Sequence, residues 1–306
     1  MKAHRINPNL VLTVGVIGIS CSAIFVKYSE APAVITATYR LLWTVLLLTP
    51  SALWTHRAEW RQVTGRDMGW CGLSGFFLAL HFVSWFLSLK YTSVASSSAL
   101  MSTEVIFTAF GFVIFLQGTL YRKAWVCILT AFAGSVMIAL ADGGGTGGAL
   151  FGDLLSLAGA VCVSGYSLIG RRQRDHLSNT LYTYLTYSSC AVFLLLMDGL
   201  SGTPVTGWGA RELLIGFLLA FFCTLLGHSL CNWCLKYLNP AYVAAAKLCE
   251  PVVSSVLAAV LFLEIPSGIQ LAGAVVLLAG VFSYANLERK QTAPGEEKTG
   301  KGEKND

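Results

Sequence analysis

Apolar runs of about 17–25 residues recur along the whole chain, near residues 9–26, 33–54, 68–89, 93–116, 124–141, 150–170, 178–198, 211–235, 239–262 and 267–287. Each is as long as a helix must be to cross a hydrocarbon core of about 30 Å. Charged residues make up only 12% of the chain, about half the share of a soluble domain, and they cluster between the runs. A backbone in lipid must satisfy its polar groups within the segment or in a closed barrel, and no long period-two alternation is present. The expected fold class is therefore all-α and integral to a membrane, with ten transmembrane helices.

Lys and Arg fix the expected orientation, because they are retained on the cytoplasmic side. With the N-terminus inside, sixteen of them fall in inner segments (Lys2, Arg5, Arg57, Arg61, Arg66, Arg122, Lys123, Arg171, Arg172, Arg174, Lys236 and the five of the tail). Only Lys27, Lys90 and Arg211 fall outside. N- and C-termini are both expected in the cytoplasm of a cell (plasma or inner) membrane protein.

The two halves echo each other. His81-x3-Trp85, Leu89-Lys90-Tyr91, Glu104 and Phe115-Leu116-Gln117 are followed in the same order by His228-x4-Trp233, Leu235-Lys236-Tyr237, Glu250 and Phe262-Leu263-Glu264. The offset stays between 146 and 148 residues, and it maps spans 3–5 onto spans 8–10. Five spans are an odd number, so the second unit must enter from the opposite side as an inverted repeat. That architecture is frequent in secondary transporters, whose substrate site lies near the midplane between the halves. The expected units are residues 8–141 and 150–287, with a Gly-rich linker at 142–149 and a Lys/Glu/Gly-rich, disordered cytoplasmic tail at 288–306.

Six ionisable residues fall inside the spans away from their ends: Arg40, His81, Glu104, His228, Lys247 and Glu250. Each costs about 2.5–3.5 kcal/mol or more at mid-depth when unpaired, so each requires a reason. Glu104 and Glu250 occupy equivalent repeat positions near the expected bilayer centre. Lys247, three residues before Glu250, shares its face on a continuous helix; the two form either a static packing pair or a receptor for a zwitterion. Pro251 removes an N–H and frees the carbonyl of Lys247, as in the broken helices of transporters, or simply kinks the span. His81 and His228 can relay protons or bond a substrate, or bond a neighbouring helix. Trp85, Asn232 and Trp233 lie one turn further on, as cavity lining or interfacial belt residues. Arg40, about two turns into span 2, either snorkels or binds an anionic group. Asp153 and Glu264 sit near span ends and are expected to be hydrated and structural.

Cys21, Cys127, Cys162, Cys190, Cys223, Cys231, Cys234 and Cys249 lie in apolar runs, where thiols act as packing residues. Cys231-Asn232-Trp233-Cys234 has redox or metal spacing but lacks a second ligand pair and a soluble βαβ setting; with no nucleotide-binding loop either, no metal or cofactor is expected. The net charge of +5 flanks membrane spans and does not mark a nucleic-acid partner; the partners expected are lipid, a small-molecule substrate and protons.

The chain resembles the EamA-type ten-span carriers of the drug/metabolite transporter superfamily over about residues 8–288. Arg40, Gly152-Asp153, Asn232, Lys236-Tyr237, Glu250-Pro251, Phe262-Leu263-Glu264, Gly273 and Gly280 carry the resemblance. It departs in the first half, where Gln117 stands in place of the acidic residue matched by Glu264, and Glu104 falls near the proline position. The resemblance implies two inverted five-helix bundles around a central cavity and a secondary carrier, often an efflux carrier of amino acids or related metabolites. Sugar- or nucleotide-type substrates, a passive channel and a membrane enzyme remain alternatives on the residues alone. On the charge distribution, green fluorescent protein fused to the C-terminus is expected to fluoresce in a bacterial host, and a C-terminal alkaline phosphatase fusion to be inactive. The opposite pair of readings would place the tail outside.

Overall fold

The computed structural model describes residues 7–116, 122–143, 148–173, 177–234, 246–247 and 249–292. Among them every regular element is a helix, the outcome that lipid demands of an open chain. The α-helices are α1 (Pro8–Tyr28), α2 (Ala33–Pro50), α3 (Gly65–Ser88), α4 (Val94–Met101), α5 (Glu104–Leu116) and α6 (Arg122–Gly143). They continue with α7 (Gly148–Gln173), α8 (Asn179–Ser201), α9 (Gly209–Leu218), α10 (Ser229–Cys234), α11 (Glu250–Phe262) and α12 (Gly268–Thr292). A π-helical stretch, Leu219–His228, joins α9 to α10, and another, Ser51–Thr55, ends α2.

Local sequence sets the helix starts. Pro8 stands in the first turn of α1, where its missing N–H costs no helical bond, and Asn7 Oδ1 accepts from Asn9 N at 3.0 Å. Thr64 and Asp67 form a capping box at α3, and Ser93 and Ser178 cap α4 and α8.

Among the described residues, seven helical stretches are long and apolar enough to cross a membrane, from Pro8–Tyr28 to Gly209–His228. Glu250–Phe262 and Gly268–Tyr284 are shorter apolar helices. The chain is a multi-pass membrane protein, and exposed Phe132, Leu140, Val260 and Val275 give it the apolar exterior that lipid requires. Span 4 differs from the sequence expectation: Ser102 and Thr103 interrupt it, so α4 and α5 are separate helices. In span 9, Ala246 and Lys247 are helical, Cys249 stands in a turn and α11 starts at Glu250. The helix of the last span runs on to Thr292, past the expected end at 287. Of the expected linker, only 144–147 falls outside the described residues, as do 293–306 of the tail.

The halves are interleaved. In the contact pattern, α3 packs on α7 and α8, α1 on the Leu219–His228 stretch and α11, α2 on α8 and α9, α4 on α7 and α11, and α6 on α12. Small residues permit the closest crossings, since apolar lipid leaves packing and hydrogen bonds to join helices. A Cβ at Gly134 of α6 would lie 2.4 Å from Leu277 N of α12. One at Gly75 of α3 would lie 2.7 Å from both Cys190 N and Thr186 O of α8.

Polar contacts gather at one end of the bundle, called here the Lys27 end. Lys27 pairs with Glu264, whose other oxygen accepts from Val94 N at 3.0 Å. Glu212 accepts from Ser29 Oγ and from Glu30 N, and Arg211 pairs with Glu30. Lys90 Nζ donates to the Ala31 carbonyl, and Thr92 Oγ1 to Asp153 at 2.9 Å. Asp153 is therefore buried (1% exposed) rather than hydrated, because Gly152 lets the start of α7 press against Tyr91 and Thr92.

Gly75→Leu is expected to force α3 and α8 apart and to cost on the order of 2 kcal/mol or more, because the obstructing atoms include backbone. Thermal melting of detergent-solubilised protein, followed by size-exclusion chromatography, measures the loss; an unchanged melting temperature would remove this crossing from the account.

Candidate functional site

A cavity of about 410 Å³ lies within the bundle, and Arg40, His81, Glu104, His228, Lys247 and Glu250 all line it. Each reaches it from a different local arrangement.

Arg40 is 2% exposed and does not snorkel. Its Nε donates to Thr224 Oγ1 and one terminal nitrogen to Ser22 Oγ, both at 3.1 Å. Its guanidinium carbon lies 4.5 Å from the centroid of Phe82, a cation–π distance. One side chain of α2 thus ties α1, α3 and the π-helical stretch together. The ion pairs among the described residues are Lys27–Glu264, His56–Glu59 and Arg211–Glu30, so no carboxylate neutralises Arg40 directly.

Glu104 and Glu250 each open a helix that follows an interruption. At Glu250 the interruption has a proline: Pro251 lies in the first turn of α11, and Cys249 N bonds back to Ala246 O at 3.0 Å. At Glu104 hydroxyls do comparable work. Ser102 Oγ donates to Ser98 O at 3.2 Å and Thr103 Oγ1 to Leu100 O at 2.6 Å, back-bonds that bend helices. A helix N-terminus favours a carboxylate in its first turn. Ser167 Oγ donates to Glu104 Oε1 at 3.0 Å, and Ser164 Oγ to the Glu104 carbonyl at 3.0 Å. Glu250 lies within electrostatic reach of Lys247, Glu104 and Arg40.

Lys247 and Glu250 do not form the close pair that their spacing allows. Helical spacing brings residues i and i+3 together only on an unbroken helix, and the turn at Cys249 breaks this one. Lys247 is exposed toward the cavity instead.

His81 Nδ1 lies 3.1 Å from the Gly159 carbonyl. A carbonyl only accepts, so Nδ1 carries the proton, and in a neutral ring Nε2 is left as an acceptor. The ring is stacked on Trp85, with centroids 5.9 Å apart and 18° between planes. His228 closes the π-helical stretch, a geometry that often marks functional positions. Trp85 lines the cavity, whereas the side chains of Asn232 and Trp233 lie outside the described residues.

The neutral part of the wall was not singled out by the sequence. Tyr166, Ser167, Tyr182 and Tyr187 carry the cavity toward Gly170, Asn179 and Thr183, where α7 ends and α8 begins. Tyr182 Oη and Ser74 Oγ lie 2.6 Å apart. Tyr182 and Tyr187, five residues apart in span 7, were the available signal, but in a membrane helix they also fit an interfacial belt. No group of His, Cys, Asp or Glu among the described residues is arranged to hold a metal ion, and the cysteines are free thiols.

A solved crystal structure superposes on 94% of this chain and 99% of its own with a TM-score of 0.63, at 19% sequence identity, which shows a shared fold. Among curated proteins, an uncharacterized transporter of Synechocystis sp. is 25% identical over 271 residues, 83% of this chain and 79% of that one. The transporter YyaM of Bacillus subtilis is 29% identical over 233 residues, 72% of each chain. A protein of Salmonella typhimurium named as a probable amino-acid metabolite efflux pump is 28% identical over 225 residues, 69% of this chain and 75% of its own. The model of the EamA-like transporter family matches twice, at residues 8–140 and 150–285. A helical membrane bundle with a charged internal cavity, matched by that model over most of its length, belongs to the EamA-like transporter family.

Proposed function

We propose that the protein is a secondary-active carrier that exports small polar metabolites, amino acids among them, across the cell membrane by alternating access linked to protons. The observation that carries this reading is the convergence of Arg40, His81, Glu104, His228, Lys247 and Glu250 on one cavity. A structural role for scattered charges would distribute them as isolated pairs between helices. Here two carboxylates, two imidazoles, an amine and a guanidinium share one space, which suits a solute bearing both signs of charge.

In this reading ten spans form two inverted five-helix units, with both termini cytoplasmic. The pairing of helices supports it. Advancing each span by five turns α3 on α7 into the π-helical stretch on α1, and α4 on α7 into α11 on α1; it returns α6 on α12 to itself. The Lys27 end then faces outward and is fastened, while the cavity extends toward the inner ends of α7 and α8. Glu250 carries the coupling proton and binds the solute's cationic group, Glu104 is its counterpart across the pseudo-twofold axis, and Arg40 and Lys247 meet the anionic group. His81 and His228 form the wall between. The name of the Salmonella relative supports an outward direction and amino-acid cargo.

Counterflow in proteoliposomes with a metabolite panel, with and without an imposed pH gradient, tests the reading. Glu250→Gln is expected to lower the rate at least tenfold and to abolish its pH dependence, consistent with loss of a proton-transfer group worth about 10²-fold or more. Transport equal to the natural protein at every pH would remove Glu250 from the mechanism.

A further inference from the structure

The end of the bundle opposite Lys27 carries positive charge that no carboxylate answers. Arg57, Arg61, Arg66 and Arg172 are exposed there, and no ion pair among the described residues includes them. The neighbouring acids are already engaged. Glu59 Oε1 lies 2.9 Å from His56 Nδ1, and Asp67 accepts from Thr64 N, Thr64 Oγ1 and, at 3.1 Å, Gln173 Nε2.

Two of these arginines flank one indole. The Arg172 guanidinium carbon lies 4.9 Å from the ring centroid of Trp70, and Arg66 stands one turn before Trp70 on the same face of α3. The bond from Gln173 to Asp67 fixes the end of α7 beside the start of α3. A guanidinium presents a planar fork of donors that matches phosphate oxygens, so this junction suits a phosphate group.

The surface beside the arginines is apolar, and this separates a lipid from a soluble anion. Trp54 is 80% exposed, and Met68, Leu73 and Phe76 are exposed along α3. Gly65, Gly69 and Gly72 lie on that same side of the helix, and a Cβ on any of them would meet nothing within 4 Å. With Phe76 they form one stripe that starts beside Arg66 and runs along α3 into the hydrocarbon. A free anion would satisfy the arginines and leave the stripe bare, whereas a phospholipid brings a phosphate and an acyl chain on one molecule. Basic residues at a membrane surface favour headgroups of net negative charge; the choline of a neutral lipid would bring a second cation to the same place.

We infer that the junction of α3 and α7 binds one anionic phospholipid, with its phosphate at Arg66 and Arg172 and an acyl chain along the glycine stripe of α3. The two helices belong to the two separate stretches that match the family model, and the cavity extends to Gly170 of α7 and Asn179 of α8. The lipid thus fastens the halves to each other where the cavity approaches this end.

The test compares melting of the full-length protein in nanodiscs of phosphatidylcholine, with and without added phosphatidylglycerol. Phosphatidylglycerol is expected to raise the melting temperature by about 3 °C or more, since two arginines meet its charge. Each variant is read by this gain, so that any change in its intrinsic stability cancels. Arg66→Gln with Arg172→Gln is expected to lose most of the gain. Gly69→Leu, which places a side chain in open space, is expected to reduce it although every arginine remains. Arg122→Gln with Lys123→Gln removes two charges from the start of α6, at the same end, and should keep it. The inference is overturned if phosphatidylglycerol gives no gain, or if the α6 control loses as much of it as the arginine variant. It is also overturned if Gly69→Leu keeps the gain in full, or if inorganic phosphate added to phosphatidylcholine nanodiscs reproduces it. No transported solute enters the measurement, so its outcome is independent of the carrier reading.

Discussion

A guanidinium retains its charge at any accessible pH, so Arg40 cannot enter the bundle by losing a proton as a carboxylate or an amine can. Its burial has to be compensated in place, and the elements around it are arranged by that need. Ser22 of α1 and Thr224 of the π-helical stretch supply oxygens, Phe82 of α3 supplies a ring face, and α2 supplies the arginine itself. Two neutral acceptors and the rings of Phe82 and Phe86 do not replace a full hydration shell. The remaining side of the guanidinium must meet water, solute or the more distant field of Glu250, with which it interacts. The cavity is thus a consequence of the arginine as much as a container for it: filling it with hydrocarbon side chains would strand the charge.

The same constraint explains why both acidic residues begin helices. A carboxylate in the middle of a continuous helix faces a backbone whose N–H groups are all used. At a helix start several N–H groups are free, and the dipole favours negative charge. The chain reaches this arrangement twice by different chemistry. Pro251 makes the break before α11, and the hydroxyls of Ser102 and Thr103, bonded back to Ser98 and Leu100, make it before α5.

This difference also marks what the sequence could reveal. Charges in an apolar run are exceptions, so Arg40, His81, Glu104, His228, Lys247 and Glu250 stood out, and the structure gathers all of them at one cavity. Proline is equally conspicuous, so the break at Pro251 was legible. Serine and threonine are ordinary in membrane helices, where most bond their own helix, so nothing distinguished Ser102 and Thr103 as a second break. Tyr166, Tyr182 and Tyr187 were hidden for the same reason. The expected Lys247–Glu250 contact failed because helical spacing was applied across the turn at Cys249. The hydrated role expected for Asp153 failed because its depth was judged from distance along the chain, not from the close approach that Gly152 permits.

A carrier must also open at the end that is closed, and the contacts at the Lys27 end suit that requirement in the proposed cycle. The Lys27–Glu264 pair is about a quarter exposed on each side, and Arg211–Glu30 more so. Pairs with that much solvent contribute about 0–1 kcal/mol each. A micromolar solute releases about 8 kcal/mol on binding, and a near-complete shift between two conformations needs a difference of about 5.5 kcal/mol. A ring of individually weak ties therefore lies within reach of solute binding, as one deeply buried ion pair would not. Leu263, held at a positive φ of 57° immediately before Glu264, adds local backbone strain of the order of 1 kcal/mol or more on the closed side. In the proposed cycle, releasing Glu264 from Lys27 and Val94 would free this turn to rearrange as the Lys27 end opens.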